Sequence, residues 1–166
     1  MNSHTSKIFR LRSLILVALA LAVLMARPQP LPAQTDACAL VKAGDVAALL
    51  GGTPVSKSTP QGGACTWTGA VAGHKLLILT YKKTGVPSEA AFMGAQKGMQ
   101  AEENAKMIDE AGIGDKAFSS TTSFGAVFVL LKHGRLLQVQ YWTGSQGTSQ
   151  DVDALRPVVH KAAAAF

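Results

Sequence analysis

Residues 126–143, AVFVLLKHGRLLQVQYWT, hold two apolar runs on either side of His133-Gly134. Glycine at the second turn position suits a two-residue type I′ connection between antiparallel strands. Counting outward from that turn sets the register. Leu130 falls opposite Leu137, Phe128 opposite Val139 and Ala126 opposite Tyr141, giving one wholly apolar face. The other face pairs Leu131 with Leu136, Val129 with Gln138 and Val127 with Gln140, and ends at Trp142. A slip of one residue would mix the two sets, so the pattern specifies its own pairing.

Other strands precede this hairpin. Lys75–Lys83 alternates, with Leu77, Leu79 and Tyr81 on one side and Leu76, Ile78 and Thr80 on the other. Ala64–Thr68 points Cys65 and Trp67 the same way, and Thr53–Ser58 reads as an edge strand. Gln61-Gly62-Gly63 is a turn, and a further strand is expected around Ala117–Thr121. Helices are expected over Ala39–Leu50, stopped by Gly51-Gly52, and from Ser88 to about Asn104, after Pro87. The second carries Phe92, Ala95 and Met99 as a buried stripe, with Gly94 and Gly98 permitting close approach to a sheet. A last helix covers Asp151–Ala165, with a kink or restart expected at Pro157. Strands joined by short turns, with helices before, between and after, predict an α+β domain: an antiparallel β-sheet with packed helices.

The N-terminus reads as an export signal. Lys7, Arg10 and Arg12 stand without an acid before an unbroken apolar run, Leu14 to Ala26. That run is short of the ~20 residues a spanning helix needs. Leu31-Pro32-Ala33 is a small-residue exit that would make Gln34 the new N-terminus, and Ala26 offers a second exit. The division is therefore 1–33 signal and 34–166 a single domain, exported to the periplasm or beyond, with no transmembrane segment in the mature chain. Removing the signal takes Lys7, Arg10, Arg12 and Arg27 but none of the ten acids, so the precursor's +6 falls to +2. Lys82-Lys83 is then the only basic doublet. A nucleic-acid binder needs a basic stripe to neutralise phosphates, and that class is excluded. Two cysteines, Cys38 and Cys65, are expected to pair in an oxidising compartment, as a structural bridge rather than a closely spaced redox pair.

Several segments together resemble a known family. Asp36-Ala37-Cys38-Ala39-Leu40, Val46 to Leu50-Gly51, Cys65-Thr66-Trp67 and Gly112-Ile113-Gly114-Asp115-Lys116-Ala117 before a hairpin are similar to small bacterial exported proteins of unknown function. Many of these are lipoproteins, and their domain is similar to the PsbP-like α/β sandwich. The resemblance spans most of residues 36–165 and implies a fold and an envelope setting. It brings no catalytic residues. The chain departs from it at Cys38, which follows Thr35-Asp36-Ala37 rather than a lipid-attachment sequence.

Three motifs invite chemistry. Gly112-Ile113-Gly114-Asp115-Lys116-Ala117 satisfies a dinucleotide fingerprint, but that chemistry needs a strand before it and a helix after it. The expected order here is the reverse, a helix-to-strand turn. Ser145, in Gly144-Ser145-Gln146-Gly147, is followed in order by Asp151 or Asp153 and His160, which suggests a small exported serine hydrolase as the alternative function. His74, His133 and His160 show no metal-ligand spacing, so neither metal nor cofactor is expected. Glu102-Glu103 and Asp109-Glu110 read as helix-end charges, and Met93, Met99 and Met107 as core filler. No catalytic constellation emerges. The leading expectation is a non-enzymatic domain that binds an envelope protein or a small apolar ligand through Gln138, Gln140 and Trp142, unless a terminal helix covers that face.

Overall fold

The computed structural model describes residues 36–59, 63–81, 88–102 and 105–166. The expectations for the export signal and Gln34, and for Gln61-Gly62, Lys82-Lys83, Pro87, Glu103 and Asn104, lie outside them. A 3-10 turn, Ala37–Leu40, leads into helix α1 (Ala43–Leu50) and strands β1 (Val55–Ser58), β2 (Ala64–Thr68) and β3 (Lys75–Tyr81). Helix α2 (Ser88–Gln100) comes next, then β4 (Met107–Asp109), β5 (Lys116–Thr122), β6 (Gly125–Lys132), β7 (Arg135–Trp142) and helix α3 (Ser149–Ala165). The strands form one antiparallel sheet in the order β1-β2-β3-β7-β6-β5-β4. This is the expected α+β fold.

The β6–β7 hairpin has the register that the turn dictates, with Leu130 opposite Leu137, Phe128 opposite Val139 and Ala126 opposite Tyr141. His133 and Gly134 have φ of 50° and 69°, the positive pair a type I′ turn requires. The apolar set forms an inner face that continues through Leu76 and Ile78 of β3 to Cys65 and Trp67 of β2. α3 lays Val152, Leu155, Val159 and Ala162 on it at helical spacing. α1 adds Val46, Leu49 and Leu50 on the β2–β3 side. The Tyr141 hydroxyl donates to the Leu49 carbonyl (3.1 Å) and bonds His74 Nδ1 (2.7 Å), so His74 is tied to the core rather than solvated.

The first helix differs from the expected single span over Ala39–Leu50. Asp36 caps the 3-10 turn by accepting from the Cys38 amide, and Cys38 is bonded to Cys65 of β2. The chain then extends at Val41, and α1 starts afresh with the Asp45 carboxylate on the Lys42 amide (2.8 Å). The paired cysteines hold the turn against the sheet, and the break lets α1 run its own course.

Pro157 brings no restart. It is exposed, and α3 is one helix from Ser149, with Thr148 as its N-cap. Two corrections concern α2. Gly94 and Gly98 are exposed, and a methyl added at either would meet no atom within 4 Å, so they face away from the sheet. Met93 is likewise exposed (47 %) rather than core, while Met99 and Met107 pack at the edge of a small cluster. That cluster joins Phe92 of α2 to Phe118, Val127, Val129, Leu131 and Leu136 on the outer face.

Candidate binding face

The outer face is built by alternation. Gln138, Gln140 and Trp142 follow one another along it, and β3 sets Leu79 beside Gln138 and Leu77 beside Gln140. Both glutamines are half-buried and both have partners, as partial burial of an amide demands. Gln138 Oε1 accepts from the Tyr81 hydroxyl (2.9 Å), and Gln140 Oε1 accepts from Trp142 Nε1 (3.0 Å). The Trp142 ring stacks on Phe124 with centroids 4.5 Å apart, and Lys75 Nζ sits 4.0 Å above it. Burial raises the Tyr81 phenol above its ordinary pKa.

The face expected to be either open or closed is divided. Val127, Val129 and Leu131 lie under α2, the middle helix, and the terminal helix lies on the inner face instead. Leu77, Leu79, Gln138, Gln140 and Trp142 remain half-exposed beside it. At the boundary a cleft lined by Met99, Phe124, Val127 and Trp142 has room for about 40 Å³. That is space for two or three waters, too little for a ligand pocket.

The residues that suggested catalysis are kept apart. Ser145 is exposed, 3.3 Å from Thr143 Oγ1 in the loop that follows β7. His160 lines a cleft with Asp115, Lys132 and His133, before the start of β7. The eight-residue strand between those ends spans roughly 25 Å. Asp151 accepts from the Thr148 amide and hydroxyl, and Asp153 from Arg156. Ser145 and His160 are therefore not brought together. Gly112 and Gly114 take φ of 78° and 68° in a turn between β4 and β5, not the helix-to-strand turn expected, and no helix follows. A methyl at Gly114 would stand 2.6 Å from the Leu131 carbonyl, so close approach to β6 explains that glycine. Asp115 receives the His133 amide at 2.7 Å and fastens the hairpin tip. Among the described residues no group of His, Cys, Asp and Glu could hold a metal ion.

Comparison with protein-family models, curated proteins and solved structures gives no match to this chain. Among the described residues, no helix is long and apolar enough to cross a membrane.

Two features escape a reading of the sequence. Tyr81, Leu77 and Leu79 join the hairpin face because β3 pairs with β7, a contact that no local pattern encodes. Glu110, expected as a helix-end charge, instead lies after β4 with its side chain 9 % exposed. It accepts from Arg156 Nη2 (2.9 Å) and Nε (3.2 Å) and from Ser119 Oγ (2.7 Å). The Arg156 hydrogen bonds hold its carboxyl below the usual range, against an opposing push from burial.

Proposed function

We propose that the chain is exported and serves in the cell envelope as a non-catalytic domain that binds a protein partner through Gln138, Gln140, Trp142 and the adjoining β3 residues. The observation that carries this reading is the half-exposed strip beside α2, where aliphatic, aromatic and amide groups mix on one sheet face. Such mixed, aromatic-bearing surfaces are characteristic of binding. The narrow cleft at Trp142 favours a partner over a small apolar ligand. The separation of Ser145 from His160 speaks against the hydrolase. Export is supported by the basic segment, apolar run and Ala33 exit in series, and by a disulfide suited to an oxidising compartment. The resemblance to exported proteins with a PsbP-like domain supports the same setting.

The test is capture from an envelope fraction with the protein and its Trp142→Ala variant. Trp142 is partly buried and stacked on Phe124, so its loss should cost about 2–4 kcal/mol, and circular dichroism of the variant checks that it stays folded before capture is compared. Loss of one specific captured protein is the expected result, and an unchanged captured set rejects the proposal. N-terminal sequencing of protein from that fraction should begin at Gln34 or after Ala26, and a chain still starting at Met1 rejects export with cleavage.

A further inference from the structure

The inner face is roofed from side to side. α3 lies over β5, β6 and β7, while the 3-10 turn and α1 lie over β2 and β3. Among the described residues the outer face has a roof over one half only, where α2 packs on β5, β6 and β7 through Phe92. Over β1–β3, the described residues supply nothing of that thickness. The uncovered strip is three strands wide, about 10–14 Å, and α2 forms a wall along one side of it. A helix is about 10 Å across, so the strip is one helix wide. A flat surface would meet α2 before reaching it.

The chemistry of the strip is equally one-sided. Val55 (64 % exposed), Tyr81 (44 % exposed), Leu77 and Leu79 supply apolar area. Lys57 and Lys75 point to the same face, and among the described residues neither has a carboxylate partner. The Gln138 and Gln140 carbonyls each accept one bond, from Tyr81 and Trp142, and their amide N–H groups can donate to an occupant. Among the described residues the charged side chains on the strip itself are these two lysines, while Glu102 stands at the α2 side, in the cleft with Gln140 and Trp142.

We infer that the strip over β1–β3 receives an amphipathic helix of a partner protein, with its apolar stripe on Leu77, Leu79 and Tyr81 and its acidic flank on Lys57 and Lys75. The occupant completes the second layer in the way α1 completes the first. Two other occupants are disfavoured by charge. The chain's own apolar run is flanked by Lys7, Arg10 and Arg12, which would face the same lysines. A second copy docked symmetrically through this strip would bring its own Lys57 and Lys75 against them. The inference rests on the proposed binding role and specifies the partner's secondary structure and charge.

Anisotropy titrations of the full chain with two labelled designed helices test it. The helices share one leucine stripe and differ only in carrying glutamate or lysine beside it. The glutamate helix should bind about tenfold more tightly, the worth of two surface ion pairs. The Lys57→Glu/Lys75→Glu variant should reverse the order, and Lys57→Glu alone, at an exposed edge position, should narrow it. Equal binding, binding of neither helix, or a preference that survives the charge reversal overturns the inference. A dimer in sedimentation equilibrium that dissociates on Tyr81→Ser would overturn it in favour of a second copy. Capture that depends on Trp142 together with a failed reversal rejects the acidic helix alone and leaves the binding role standing.

Discussion

Alternate residues of β6 and β7 feed two faces of unequal construction. Phe128, Leu130, Leu137 and Val139 are fully buried on the inner face, where α3 contributes six buried residues and a capped N-terminus. Val127, Val129 and Gln138 serve the outer face, where α2 has Phe92 alone fully inside and two exposed glycines along its length. Apolar burial near 25 cal/mol per Å² makes the first face the source of most of the stability. Helix propensity works the same way, since each glycine weakens α2 by up to about 1 kcal/mol. One sheet thus has a face for folding and a face with area to spare.

The largest effect should come from the inner face. Phe128→Ala should cost about 4 kcal/mol, read as a lower urea midpoint, because the packed surroundings cannot collapse onto the void. Phe92→Ala should cost about half as much, since α2 can settle or loosen over the gap. Equal costs would break the comparison. Next comes the bridge that holds the 3-10 turn to β2. Replacing both Cys38 and Cys65 by serine should remove about 3 kcal/mol, visible as a lower melting temperature.

A third test uses acid. Glu110 joins the β4–β5 turn to α3 through Arg156, and its folded pKa lies below the unfolded value. Its contribution is therefore complete above about pH 6 and is lost as pH falls through about 4.5 and below. Glu110→Gln should cost about 2 kcal/mol at neutral pH, and the gap to the parent should close towards pH 3 in denaturation curves. A constant gap would mean that the charge is not what matters. The smallest effect should be a gain. Gly98→Ala meets open space on α2 and should raise stability by up to about 1 kcal/mol.

What was legible in the sequence follows this division. The hairpin register could be counted from His133-Gly134 because turn geometry and period-two alternation are both local. Cys65 and Trp67 were placed on one side for the same reason. The partner of β3 was not legible, since pairing with β7 depends on the whole sheet. The Phe92, Ala95 and Met99 stripe of α2 does face the outer cluster, and Met93, Gly94 and Gly98 lie outside because their positions fall off that same stripe, a consequence that residue type alone obscured. Glu110 and Arg156 are far apart in the chain and meet only after α3 docks, so no spacing could have announced them. The candidate face was half legible, with Gln138, Gln140 and Trp142 visible from the hairpin and Tyr81 joined to them only by topology.

The place of β7 between β3 and β6 governs the order of assembly. Strands β1 to β3 and strands β4 to β6 can each form from neighbours in the chain, yet neither group touches the other except through β7. Leu76 meets Tyr141 across sixty-five residues, a closure of high contact order that slows folding. During synthesis from the N-terminus, the central strand arrives almost last. Until Trp142 has emerged, the chain is two unjoined half-sheets with apolar edges, and a truncation after Lys132 would leave it so.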